Sequence, residues 1–222
     1  MNLQVLYEDN HLIAVFKPAG LLTQGDITGD ISLIDKVKSY LKQKYRKPGN
    51  VFLGMIHRLD RPVSGIVLFA KTSKGASRLS EQFRNQSVEK TYQAIVIGKP
   101  NPGRGVLVNY LSKDRADNKV EVYDRPRPGS NRAELAYETI KGNNKYSLVK
   151  VQLKTGRSHQ IRAQLAQIGC PVLGDVKYGA PVAFSDKSLC LCATGLSFVT
   201  ATEKKKVVLS VAAPKDWGEY VR

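Results

Sequence analysis

Three short segments hold the side chains best suited to chemistry. The first runs from Gly54 to Gly65 and carries His57-Arg58-Leu59-Asp60-Arg61 just ahead of an unbroken apolar run, Ile66–Ala70. A loop entering a buried strand presents an acid and two arginines from a rigid base. Taken alone, Asp60 in that company also reads as a surface salt bridge to Arg58 or Arg61. The second segment, Lys90–Gly98, places Tyr92 in a β-rich run, where its ring can lie on a nucleobase. Core packing is the other reading of a tyrosine in a strand. The third segment, Thr155–Arg162, opens a predicted helix whose unpaired N–H groups favour anions. Arg157 and Arg162 add charge-assisted donors for a phosphate or a buried carboxylate, and His159 reads as a cap or core residue.

The net charge narrows the partner. Lys and Arg number 35 against 19 Asp and Glu, a formal +16, which attracts polyanions: nucleic acid or an anionic membrane surface. No apolar run approaches the roughly 20 residues that span a bilayer. Met1–Asp9 carries acids where a secretory signal would carry a basic segment and an apolar one. Cys170, Cys190 and Cys192 lack metal-ligand spacing and read as core or half-buried residues, so neither a metal nor a disulfide framework is expected. The expected compartment is the cytoplasm.

The elements that position these segments follow from periodicity and turn residues. Leu3–Tyr7 and Leu12–Phe16 flank Glu8-Asp9-Asn10 and predict a hairpin, after which Lys17-Pro18-Ala19-Gly20 breaks regular structure. Apolar residues from Leu33 to Leu41 fall on one helical face, with Ser32 as N-cap and Asp35 in the capping-box position. The lysines opposite, Lys36, Lys38, Lys42 and Lys44, read as a solvated face first and an RNA contact second. A strand at Ile66–Ala70 precedes a helix over 74–83 capped by Ser73. Strands are predicted at Thr91–Ile97, Val106–Leu111, Lys119–Tyr123, Ala133–Ile140 and Tyr146–Leu153, with a polar turn at Lys113–Asn118. A helix over Ser158–Ile168 ends at Gly169 and Pro171, and Leu189–Cys192, Leu196–Val199 and Val207–Val211 return to strands. Strands in clusters with inserted helices predict an α+β fold on a largely antiparallel or mixed sheet, as one domain over residues 1–222. No glycine-rich phosphate loop supports a doubly wound nucleotide-binding fold.

In these contexts the segments resemble the signatures of RluA-type pseudouridine synthases. His57-Arg58-Leu59-Asp60 with Ser64-Gly65 is similar to the family's first signature, and Lys90–Gly98 to its Lys-x-Tyr strand. Thr155–Arg162 with Gly169–Asp175 is similar to its third, and Tyr7–His11 through Lys17–Leu21 to the domain's usual opening. The order is kept across almost the whole chain. The resemblance implies the pseudouridine synthase fold and conversion of uridine to pseudouridine in structured RNA, ribosomal or transfer. It implies no cofactor, no metal and no obligate protein partner. By it, Asp60 acts at the ribose as nucleophile or base, and Arg162 forms the salt bridge that keeps Asp60 charged. Tyr92 stacks on the uracil and helps remove the C5 proton. Arg58 fills the space of the flipped base, and His57 and Arg157 join the RNA-contacting set.

Three positions depart from the family pattern: Gln164 where histidine is common, Gln24 in a segment that often carries His-Pro, and Cys192 within a Leu-His-Ala run. These departures bear on which RNA is chosen. The catalytic pattern begins at Leu3, leaving no room for the small RNA-binding domain that the family often carries, so RNA contact is expected from this domain's basic face. Two other functions are weighed: a non-catalytic RNA-binding or ribosome-assembly protein on the same fold, and a carboxylate-dependent nucleosidase or nuclease.

Overall fold

The computed structural model describes residues 3–114 and 117–222. Within the polar turn predicted at 113–118, Arg115 and Ala116 lie outside the described residues. The elements run β1 (Val5–Glu8), β2 (Leu12–Lys17), α1 (Leu33–Lys44), β3 (Gly54–Met55), β4 (Ser64–Ala70) and α2 (Ser73–Arg84). They continue with β5 (Glu89–Ile97), β6 (Arg104–Asp114), β7 (Lys119–Tyr123), β8 (Asn131–Gly142), β9 (Tyr146–Leu153) and α3 (Gln160–Gln167). A 3-10 turn, Val176–Tyr178, precedes β10 (Leu191–Val199), β11 (Lys206–Ser210) and the short α4 (Trp217–Tyr220). The chain is α+β, as its patterning predicts.

These elements form two compact units, residues 1–88 with 195–211, and residues 89–194 with 212–222. In the first, β1, β2 and β4 pair antiparallel in that order, β3 adds to β4, and β11 pairs with the 195–199 part of β10. The predicted hairpin is set by Asp9, whose Oδ1 accepts from the backbone N–H groups of His11 and Leu12 at 2.7 and 2.6 Å. Leu12, Ala14, Ile66, Leu68, Leu79, Leu196 and Phe198 form the core of this unit. Full burial of each large apolar side chain contributes about 1.5–3 kcal/mol.

Helix α1 starts where its sequence requires. Ser32 Oγ accepts from the Asp35 N–H, and Asp35 Oδ2 accepts in return from the Ser32 N–H at 2.9 Å. Two of the N–H groups left over at this helix start donate outward, Leu33 to the Leu22 carbonyl and Ile34 to the Thr23 carbonyl. The helix thereby fixes the segment that follows Gly20. Helix α2 begins one residue earlier than expected, with Thr72 as its cap in place of Ser73.

In the second unit the antiparallel order is β5-β9-β8-β6-β7. Helix α3 packs Ala163 against Leu111, Val120, Ala133 and Tyr178. The strands expected at Leu189–Cys192 and Leu196–Val199 are one strand, β10, whose residues 191–194 belong to this unit and 195–199 to the first. Among the described residues, no helix is long and apolar enough to cross a membrane.

Candidate active site

In the first unit, Asp60 sits half-buried in the connection from β3 to β4. Its carbonyl accepts from Val63 N–H at 3.0 Å, closing a turn over Asp60–Val63 with Arg61 and Pro62 at the corner. Three grips hold this connection. Thr23 Oγ1 donates to the Leu59 carbonyl at 2.7 Å. Gly20 N–H donates to the Arg61 carbonyl at 2.8 Å, while Arg61 reaches back from Nε to the Gly20 carbonyl at 3.0 Å and pairs with Asp30 at 2.7 Å. The third grip is Lys17, 0% exposed at the end of β2. Its ammonium donates to the carbonyls of Leu21, Arg61 and Pro18 at 2.8, 3.0 and 3.1 Å. Burial lowers its pKa to about 7, with the Asp60 charge acting in the opposite direction and Arg61 adding to the depression. Three carbonyl dipoles satisfy the three N–H donors of an ammonium that has left water.

His57 is built into the same unit. Its ring stacks on Phe83 at 5.0 Å between centroids, and its Nε2 accepts from the Leu68 N–H at 2.9 Å. With Nε2 as acceptor, the neutral imidazole carries its proton on Nδ1. The ring thus ties the segment before Asp60 to the centre of β4. Arg58, next along, is exposed.

In the second unit, Tyr92 lies in β5 opposite Val151 of β9 and is 8% exposed. Arg162, in the first turn of α3, is 6% exposed and grips Asp175, itself 1% exposed. Arg162 Nε donates to Asp175 Oδ2 at 2.6 Å and an Nη to Oδ1 at 2.9 Å, the fork-to-fork geometry that a guanidinium forms with a carboxylate. The guanidinium carbon also lies 5.1 Å from the centre of the Tyr178 ring. Arg157 is exposed, with Nε donating to the Arg132 carbonyl at 3.1 Å.

The start of α3 differs from the expected one. His159 takes a left-handed conformation (φ 50°), so the helix begins at Gln160 rather than Ser158. Gln160 folds back and its Oε1 accepts from the Arg157 N–H at 3.0 Å. The Arg157 N–H, ahead of the helix, is thereby satisfied from within the segment.

Two of the three family departures lie inside the protein. Gln164 is fully buried; its Oε1 accepts from Gln160, and its Nε2 donates to Asn109 Oδ1 at 2.7 Å and the Leu107 carbonyl at 3.3 Å. Cys192 is also fully buried. These two side chains present no surface to a macromolecule, so any bearing they have on the choice of RNA passes through the residues they pack against; Gln24 is exposed. Lys17 and Asp175 are the residues that sequence reasoning left without a role. The available signal was a charged residue next to a glycine- or proline-rich turn inside a motif. Among the described residues, no group of three or more His, Cys, Asp or Glu side chains could share a metal ion.

Comparison with known proteins gives one answer. The family model described as RNA pseudouridylate synthase matches residues 11–167. The tRNA pseudouridine synthase C of Haemophilus ducreyi is 34% identical over 98% of this chain and 93% of its own length. The ribosomal large subunit pseudouridine synthase C of Rickettsia typhi is 35% identical over 79% of this chain, which spans 56% of that longer protein. Among solved structures, human RNA pseudouridylate synthase domain containing 4 superposes with a TM-score of 0.80 at 25% identity, covering 98% of this chain and 91% of its own. A match over more than two thirds of the chain, a relative aligned over nearly its full length and a shared fold agree: the chain belongs to the RNA pseudouridylate synthase family.

Proposed function

We propose that this enzyme isomerises specific uridines in stem-loops of transfer RNA, ribosomal RNA or both, with Asp60 as its catalytic carboxylate and residues 1–222 acting as one catalytic domain. The relatives' names include both RNA classes. The observation that carries the assignment is the Asp60 turn, a half-buried carboxylate on a connection gripped by Lys17, Thr23 and Gly20. Pre-organisation of that kind suits a group that must meet one sugar atom within a few tenths of an ångström.

Uridine and pseudouridine are isomers, so the reaction consumes no co-reactant. The N1–C1′ bond breaks, the uracil turns while still held, and a C5–C1′ bond forms; C5 loses a proton and N1 gains one. Asp60 acts either by attack at C1′ or by taking the C2′ proton to give a glycal. Tyr92 stacks on the uracil and assists removal of the C5 proton. Arg162 is the cation that the family resemblance assigns to Asp60, and Arg58 occupies the place of the flipped base. His57 contributes by anchoring the segment that bears Arg58 and Asp60, and Arg157 binds phosphate. The net +16 charge supplies phosphate contacts, so affinity for RNA falls steeply with salt. Three buried, reduced cysteines fit a reducing compartment, and we place the enzyme in the cytoplasm.

The test is Asp60→Asn. The variant folds and binds RNA but loses activity by on the order of a thousandfold or more, measured as tritium released from 5-tritiated uridine in RNA. Appreciable turnover by Asp60→Asn overturns the assignment. Pseudouridine maps of cellular RNA with and without the protein name the substrate.

A further inference from the structure

We propose that Asp175 is a positioning residue for the isomerisation: with Tyr178 and His159 it fixes the plane and direction of the Arg162 guanidinium. The inference rests on the reading of Arg162 given above. Asp175 closes the Gly169–Asp175 segment that resembles the family's third signature, and Tyr178 lies just beyond it; their part is argued from the geometry of the second unit.

A buried ion pair is weak evidence of stabilisation, because removing two charges from water offsets most of their attraction. What a bidentate pair adds is direction, since both carboxylate oxygens engage two N–H groups in one plane. An unrestrained arginine would otherwise sample many rotamers, and ordering it costs side-chain entropy. At Arg162 the edge of the guanidinium is held by Asp175 at 2.6 and 2.9 Å, and the Tyr178 ring lies 5.1 Å from its centre.

Each holder is itself held. Asp175 N–H donates to the Val172 carbonyl, and the Asp175 carbonyl accepts from the N–H groups of Tyr178 and Ala180, all at 3.0 Å. Gly174 before it has φ +90°, and a Cβ there would meet the Phe184 ring at 2.7 Å, so the approach to Asp175 requires glycine. The Tyr178 hydroxyl accepts from the Val120 N–H at 2.8 Å and shares a hydrogen bond of 2.9 Å with His159 Nδ1. His159 reaches that hydroxyl from a left-handed backbone, a conformation that a non-glycine residue adopts at a cost. Strain, a buried ion pair and a glycine-only approach converge on one guanidinium. Apolar packing alone would ask for none of the three.

The experiment compares wild type, Asp175→Asn, Arg162→Lys, the double variant and Arg162→Met by single-turnover tritium release, RNA affinity and thermal midpoint. Asp175→Asn is expected to lower the single-turnover rate about 10- to 100-fold, because a small misplacement of a positioned group costs rate on that scale. RNA affinity stays within about threefold. In the Arg162→Lys background the same change costs less than about threefold more, because the group being positioned is gone. Full activity of Asp175→Asn well below its melting temperature overturns the proposal, and so does an equal cost in both backgrounds, the mark of a merely structural residue. Should Asp175→Asn fail to fold, Tyr178→Leu is measured in the same two backgrounds, with non-additive loss supporting the proposal and additive loss overturning it. Wild-type activity in Arg162→Met instead sinks the reading of Arg162 itself; an inactive Arg162→Met with an active Asp175→Asn sinks only the role of Asp175.

Discussion

The two units hold opposite charges by opposite means. In the first, the acid under consideration is Asp60, and what steadies its turn is a cation, Lys17, gripping main-chain carbonyls. In the second, the cation is Arg162, and what steadies it is a side-chain carboxylate, Asp175. The Lys17 grip fixes where a stretch of backbone runs, whatever side chains it bears. The Arg162 grip fixes one side chain against another and depends on both identities. Lysine can lose its proton when buried, whereas arginine stays charged throughout. The first clamp should therefore respond to pH through its lysine, and the second to a change in either of its two side chains.

Removing the first clamp gives the largest change in stability. Lys17→Met takes the ammonium from the Pro18, Leu21 and Arg61 carbonyls, of which Arg61 keeps the Gly20 N–H, and should cost about 3–5 kcal/mol by denaturant titration, with the Asp60 turn loosened and activity reduced. An unchanged midpoint would mean that the turn does not depend on the ammonium. Gly174→Ala attacks the second clamp from behind: a positive φ and a 2.7 Å contact with Phe184 predict a loss of about 2–4 kcal/mol. A thermal midpoint like that of wild type would show that the approach to Asp175 can relax.

The pH dependence separates the clamps directly. Burial holds the Lys17 pKa down at about 7, well below the ordinary lysine value near 10.4. Between these values the unfolded chain binds the extra proton, so this group makes stability rise with pH across that window, by at most about 1.4 kcal/mol per pH unit. Denaturation curves from pH 7 to 10 should show that rise in wild type and its absence in Lys17→Met. Matching slopes would refute the assignment. The smallest expected effect is Ser32→Ala, about 1 kcal/mol from loss of the α1 cap. Because the start of α1 binds the Leu22 and Thr23 carbonyls, the same variant should raise hydrogen exchange at Leu59, whose N–H lies 3.3 Å from Thr23 Oγ1.

Features encoded locally were legible in the sequence. The α1 cap, the β1–β2 hairpin and the run Ile66–Ala70 depend on residues within a few positions of one another, and the structure places all three as expected. Boundaries set at longer range were not. Helix α3 starts late because His159 turns left-handed toward Tyr178, 19 residues on. Strand β10 runs through Gly195 because Ser210 pairs with it there, a contact that no local pattern records. The two clamps were hidden for the same reason. Lys17 reads as a charge that breaks a strand until the Arg61 carbonyl, 44 residues away, arrives beside it. Asp175 was visible inside a motif, but nothing nearby in sequence named Arg162 as its partner.

The three cysteines also make the protein a convenient object for labelling. Cys170, Cys190 and Cys192 are all buried and all belong to the second unit, and burial with the nearby acids Asp216 and Asp186 pushes the Cys190 thiol up to about 12. An alkylating reagent meets little thiolate until that unit opens, so its rate of uptake is a clock for the opening of one half of the molecule. The first unit has no cysteine of its own. A thiol introduced at the exposed Arg58 would therefore carry a dye or spin label two residues from Asp60 against a silent background.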